Sequence, residues 1–504
     1  MSQSSSQEMI SAFPMICLII GIAIGYVTPD SIDCFVLPIA VLLVVVNVYL
    51  WVRPRYRFQA LHRILIALNI IAFGSVSYHN NADYVTIEKG KSKAYGHIEK
   101  FVKDKESRLS VAFEADTLYV NDKMYNNVEG VAYFDKEKIK VVPGEYLQIY
   151  GNVESNMRDS TKFRFFVNRA VRDTSQHAVL PSIIYKLREW TESTLASAGY
   201  SRQNIGLLLA LLMGDKSKLE YDIQKTFSEC GIVHILAVSG MHVGIIYLFI
   251  SYVVKMPFRR LPVLASGLTI LLLWVYAIIA GLAPSIVRAT LMMTIYEITR
   301  LRSGETIPLS ALYMTLFIIL VFSPESITSI GLWLSFSAVW GILLFYRHVS
   351  GIYRFKFPPF RYIYDSLSLS FVAQMSTLPF ILYSFGSFPN LFLLSNLLAV
   401  PLIAPIIIGS IIALILTPIS LTCAEMIASP IDDLLSFVCA SAEWISSMEY
   451  SQATDISFTA IEGVLFLVFL YAFNKWLNNG GHRLVLISIG ALTMLTFVST
   501  YYFL

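Results

Sequence analysis

Long apolar runs joined by short polar connections make up most of the chain, and one interval of alternating character interrupts them. Residues 11–28, 35–52 and 64–78 are apolar runs, each about long enough to cross a bilayer at ~1.5 Å per residue. From residue 83 to 177 the pattern switches to stretches such as RLSVAF, VEGVAYF, YLQIYGNV and KFRFFVNRAV, broken by Gly, Asn and Asp. Period-2 alternation with turn residues predicts a small all-β domain, although strand count alone does not separate one small barrel from another. Residues 180–198 are amphipathic, with Pro181 at the start and Trp190 suited to a membrane interface, and predict a helix lying on the outer surface. Residues 205–213 are too short to span and predict a re-entrant segment or a dipping helix end.

Further apolar runs cover 235–254, 263–281, 285–299, 309–322, 330–346, 367–385, 391–416, 456–476 and 484–502. Pro401 and Pro405 favour a broken or hairpin form for 391–418. Residues 422–450 carry Asp432, Asp433, Glu443 and Glu449 on an amphipathic pattern, which predicts an outer-surface helix rather than a span. The expected fold class is therefore a polytopic α-helical membrane protein with an inserted extracytoplasmic small all-β domain. Its expected parts are three N-terminal transmembrane helices in 1–80, the β domain in 83–178, the interfacial helix in 180–199 and a transmembrane domain in 201–504.

Composition agrees, with 56% hydrophobic and 14% charged residues and a mean hydropathy of +0.62. A net charge of +3 gives no global basic field, so arguments about partners have to be local. Local charge sets direction: the connection WVRPRYRFQALHR carries Arg53, Arg55, Arg57 and Arg63, whereas TPDSID is acidic. The positive-inside rule puts the basic connection and the N-terminus in the cytoplasm and the β domain outside. Basic loops at Lys255/Arg259/Arg260, Arg300/Arg302, 347–361 and Lys475/Arg483 fall on the cytoplasmic side if 391–418 is a hairpin or the next segment crosses back. No Lys or Arg precedes the first apolar run, which shows no small-residue cleavage pattern, so it reads as a retained span. Five cysteines without CxxC or metal spacing read as small core residues, and no metal or other cofactor is expected.

The polar exceptions in the apolar runs are the candidate chemistry. HILAVSGMHVG places His234, Ser239 and His242 at membrane depth beside Gly240 and Gly244. On one continuous helix His234 and His242 lie about 80° apart and share a face, as the lining of a hydrophilic route or as hydrogen-bonding glue between helices. The glycine pair suits close approach of another helix. GLAP followed by SIVRATLMMTIYEITR reads as a break and a new helix beginning at Pro284, with Arg288 one turn in. A helix start and an arginine facing a cavity suit phosphates; an arginine reaching to lipid headgroups is the other reading. Ser366, Ser370, Gln374, Thr377 and Ser384 fall within about 80° on an ideal helix, a polar stripe that suits a pore wall or interhelical bonding. In the β domain, Lys162, Arg164 and Phe166 share one strand face and Phe163, Phe165 and Val167 the other. Basic residues with an aromatic suit single-strand binding, and a solvated face in a nearly charge-balanced domain is the equal alternative. Ser239 and His242, one turn apart, also raise an intramembrane serine hydrolase. Such a pair usually takes its base from another element and needs oxyanion donors.

These motifs carry a family resemblance. HILAVSGMHVG, preceded by GDKSKL (214–219) and followed in order by APSIVRA (283–289), WLSFSAVWG (333–341), AQMSTLPF (373–380) and NLLAVPL (396–402), resembles the ComEC family of inner-membrane proteins that admit DNA during natural transformation. The resemblance implies a non-enzymatic channel for DNA, as a single strand, in the bacterial inner membrane, with a transporter of another anionic solute as the alternative. It implies a route through His234, Ser239, Gly240, His242, Arg288, Ser370, Gln374, Thr377 and Asn396, and an OB-like barrel in the slot of the β domain. Expected partners are single-stranded DNA, membrane lipid, a periplasmic DNA receptor and either a separate nuclease or none. A separate cytoplasmic motor is expected too, since no GxxxxGK[ST] loop is present. No His-x-His pair occurs, so the histidine-rich metal motif of the β-lactamase-like domain that many members carry has no counterpart, which implies a short form of the family.

Overall fold

The alternation between residues 83 and 177 resolves into five strands in the computed structural model: β1 (Gly90–Asp104), β2 (Arg108–Val120), β3 (Lys123–Asp135), β4 (Glu145–Asn156) and β5 (Asp159–His177). The structure describes residues 2–28, 59–81, 89–104, 108–121, 123–136, 139–156, 159–236, 238–303, 308–353, 355–479 and 490. The strands close into a barrel in the order β1-β2-β3-β5-β4, antiparallel throughout except for the parallel β3–β5 pair. The alternation in KFRFFVNRAV is obeyed: Phe163 and Phe165 are buried in the barrel, and Arg164 and Phe166 are exposed. Ile98, Val111, Phe113, Phe134 and Leu147 complete a core that belongs to the barrel alone.

Only Ala178 separates β5 from helix α3 (Val179–Ser197), which follows α1 (Ser2–Val27) and α2 (Gln59–Asn81) in chain order. Ala178 N donates to Gly144 O at 2.9 Å, and the Phe101 ring meets Tyr185 of α3 edge-on at 5.6 Å. The amphipathic reading of this helix is correct, since Trp190 is exposed and Thr194 and Leu195 are buried. Two ion pairs, Arg188–Asp215 at 3.9 Å and Lys218–Glu192, fasten it to the loop carrying GDKSK. The short run ahead of that loop is α4 (Arg202–Met213), buried from Asn204 to Met213. An apolar helix covered on all sides belongs in a core, and that explains why it need not be long enough to span. Asp432 Oδ1 anchors its start by accepting from Ser201 N, Ser201 Oγ and Asn204 Nδ2.

The helical part continues as α5 (Tyr221–Glu229), α6 (Gly240–Lys255), α7 (Pro262–Ile279), α8 (Pro284–Ser303), α9 (Pro308–Phe322), α10 (Ile330–Ser350), α11 (Pro358–Phe385), α12 (Phe392–Leu416), α13 (Leu421–Ser446) and α14 (Ala460–Asn479). Among the described residues, five helices are long and apolar enough to cross a membrane: α7, α10, α11, α12 and α14. The expected runs at 35–52 and 484–502 lie outside the described residues, apart from Gly490 in the latter.

Two expectations are corrected here. The run containing Pro401 and Pro405 is one unbroken helix, α12, and not a hairpin. Its buried face is Ala399, Ile403, Ile406 and Ile407, whereas Pro405 is exposed and Pro401 only partly covered, so the missing amide bonds fall away from the packed side. Residues 422–450 hold the expected amphipathic helix, α13: Ala424, Ala428, Ile431, Leu435, Ala442 and Ile445 are buried in the same core as α12, Glu425, Met426, Asp433, Phe437 and Glu443 are exposed, and the helix is not among those apolar enough to span. Finally, Gly244 meets no neighbouring atom within 4 Å, and a Cβ on Gly240 would only reach ordinary contact with Ala289 at 3.7 Å. A close helix crossing of this kind lies elsewhere, where Gly21 sits directly against the Ile71 backbone and joins α1 to α2.

Candidate functional site

HILAVSGMHVG is not one helix, so the shared face expected of His234 and His242 does not exist. Residues Val233–Leu236 form a 3-10 turn, and α6 begins at Gly240 with Ser239, in extended backbone, as its N-cap. The sequence carried the signal: Ser239 and His242 stand in the positions of a capping box, with His in the place usually taken by Glu or Gln. His242 Nδ1 accepts from Ser239 N at 3.2 Å and lies 2.7 Å from Ser239 Oγ. An Nδ1 that accepts leaves the proton of the neutral ring on Nε2. That Nε2 is buried without a protein partner among the described residues. His242 is fully buried, while His234 and Gly240 are exposed.

The expected break after α7 is present. Gly281 at φ +80° and Leu282 at φ +47° turn the chain between α7 and α8. Leu282 is a branched side chain in a region that favours glycine, which marks a held conformation. Ser285, in the first turn of α8, donates its hydroxyl to Val238 O at 2.9 Å. Arg288, one turn further on, donates from Nη2 to Gly331 O at 3.1 Å in the first turn of α10. The starts of α6, α8 and α10 are thus tied together around one arginine. Each helix start carries free N–H groups and a partial positive charge of about half a unit. Arg288 Nε is buried with no protein partner among the described residues. The arrangement is a focus of positive potential in an apolar bundle, suited to anions.

The remaining predicted residues divide. Asn396 lies one turn into α12, whose first residue, Phe392, packs against Gly231 just before the 3-10 turn; its Oδ1 is buried without a partner among the described residues. Gln374 Nε2 is in the same condition on α11. Thr377 Oγ1 turns back to the Ala373 and Gln374 carbonyls of its own helix, both at 3.1 Å. Ser370 is partly buried on that helix. Among the described residues no hydrogen bond joins the α11 stripe to the Arg288 cluster; α11 packs on α10, where Gly341 seats Ser376 and Trp333 stacks on Phe380 at 6.0 Å. On the barrel, exposed Phe166 stacks on Tyr133 with rings 5.2 Å apart and 14° from parallel. Arg164 faces Glu154 across the β4–β5 ladder, so this surface is mixed in charge rather than purely basic. The Lys162 side chain lies outside the described residues.

Sequence reasoning passed over Glu297. This carboxylate, at 0% exposure, accepts from Tyr247 Oη and Lys255 Nζ of α6, the latter at 2.5 Å, and from Ser266 Oγ of α7 at 3.0 Å. Arg300 Nη2 lies 3.4 Å away. A lone acid inside an apolar run was the available signal, because a buried carboxylate has to be paired and hydrogen-bonded.

A family model described as "Competence protein" matches residues 211–480. "ComE operon protein 3" of Bacillus subtilis is 29% identical over 239 residues, which is 46% of this chain and 29% of that protein. "Recombination protein 2" of Haemophilus influenzae is 23% identical over 404 residues, 75% of this chain and 50% of the relative. "Competence protein ComA" of Neisseria gonorrhoeae is 30% identical over 161 residues, 30% of this chain and 23% of the relative. The matches thus span at most half the length of these relatives. No solved structure matches the chain significantly.

Proposed function

This chain belongs to the competence protein family, and from that premise we propose that it passes DNA, as a single strand, through the bacterial inner membrane into the cytoplasm. The observation that carries the reading is the meeting of three helix starts around Arg288, with the buried Nε2 of His242 on one of them. A phosphodiester needs dispersed positive potential and donors that do not hold it permanently, and free N–H groups with one guanidinium supply that. The barrel's strand order is that of an OB fold, and its Tyr133–Phe166 stack, with Phe166 exposed, offers a platform for bases. We place the barrel outside the membrane, where it receives the strand, with a separate motor drawing the strand inward. Nucleic-acid stacking favours DNA over a small anionic solute, which the helix starts alone would also suit.

No catalysis is part of this proposal. The Ser239–His242 pair reads as a helix cap, because Nδ1 also accepts Ser239's own N–H and, among the described residues, no carboxylate orients the ring through Nε2. The test is DNA uptake with the periplasmic and cytoplasmic fractions measured separately. Arg288→Ala should leave DNA outside the inner membrane while the protein still accumulates, and Arg288→Lys should retain part of the uptake, keeping the charge without the planar fork. Wild-type uptake by the alanine variant overturns the role of Arg288. Loss of the protein from the membrane would assign the Gly331 bond a structural role instead.

A further inference from the structure

A cleft of about 520 Å³ opens where α5, the GDKSK loop and the 3-10 turn meet, and Lys216, Tyr221, Gln224 and Lys225 line it. Its inner wall is Val233 and Leu236, the two ends of the turn that carries His234, so the cleft abuts the segment leading to Ser239 and His242. Its outer rim touches the barrel: Lys103 of β1 places its ammonium 5.4 Å from the centre of the Tyr221 ring. Two lysines face one lining carboxylate, Glu229, which pairs with Lys225 at 3.8 Å along α5; Lys216 makes no ion pair among the described residues. Gln224, Ser228 and Gln452 add neutral donors and acceptors. The surface therefore combines surplus positive charge, an aromatic face and flexible amides, between the barrel and the helix starts.

Resting on the function just proposed, we infer that this cleft is a binding site for the phosphodiester backbone of a single strand passing from the barrel to the Arg288 cluster. Lys216 and Lys225 neutralise about two phosphates, and Tyr221 stacks a base. Counterion release then contributes about 0.7 to the salt slope for each neutralised phosphate.

The test uses the full chain in nanodiscs of zwitterionic lipid, with a fluorescent single-stranded oligothymidylate as probe and salt as variable. Lys216→Gln/Lys225→Gln should flatten the slope of log affinity against log salt by about 1.4 and weaken binding about tenfold near physiological salt. DNA uptake should fall while membrane abundance holds, since both side chains are exposed. Tyr221→Leu should weaken binding without changing the slope. An unchanged slope and affinity in the double variant, with the wild type binding, overturns the cleft and leaves the channel reading standing. A wild type that binds no strand at all removes both. Displacement of the probe by a soluble short-chain anionic phospholipid at equal phosphate would assign the cleft to lipid headgroups.

Discussion

Glu297 joins the far ends of three helices with one side chain, and its full burial makes it an expensive polar residue to lose. Removing one partner of a buried pair costs about 3–5 kcal/mol, mostly because the remaining charge is left uncompensated. Glu297→Leu should therefore unfold markedly earlier in detergent than wild type, with less protein recovered from the membrane. Glu297→Gln, which keeps an acceptor for Tyr247 and Ser266, should lose about half of that or less. Equal stability of all three proteins would show that the cluster ties nothing. At this scale the sequence was only partly legible. His242 and Arg288 stood out because polar groups in apolar runs are costly, and Asn396 through the NLLAVPL motif, but the partner of Arg288, Gly331, comes from another helix tens of positions away. The role of Ser239 was local and readable, yet the apolar residues around it masked a helix start.

Elements were legible where one rule acted alone. In the barrel, alternation assigned Phe163 and Phe165 inward and Phe166 outward, and each lies as predicted. In α12 two rules competed, and lengthwise packing in an apolar core won over the proline signal. The barrel's separate core is the ground for expecting it to fold alone, and its acid stability gives a signed expectation. Ser175's hydroxyl and N–H, and then Tyr95's hydroxyl, donate to Asp173 and hold its carboxyl below the ordinary 3.8. Desolvation, reinforced by Asp173, pushes the Tyr95 phenol up to about 12. A carboxylate depressed on folding stabilises fully above its unfolded pKa and loses that contribution as pH falls through the folded one. Asp173→Asn should thus lower the melting temperature of the isolated barrel at neutral pH, with the gap to wild type closing as pH drops below 3.8. A gap that stays constant down to pH ~2 would mean that the carboxylate's charge is not what stabilises the strand.

For the molecule as a whole, direction is the property that follows from charge rather than packing. A cysteine at position 175, exposed on the barrel, should react with an impermeant thiol reagent applied from outside. Cysteines at 57 or 354, both outside the described residues, should stay protected until the membrane is opened. Reversed labelling would invert the proposed direction of transport. The one-residue junction at Ala178, with α3 fastened by Arg188 and Lys218, has a consequence for affinity that neither the barrel nor the cleft has alone. Because the junction at Ala178 is one residue long, a strand held on the barrel is presented to the bundle at close range, and the second contact is intramolecular. Two individually weak grips then act as one bivalent clamp for any strand long enough to bridge them, while shorter fragments feel only one grip and are released.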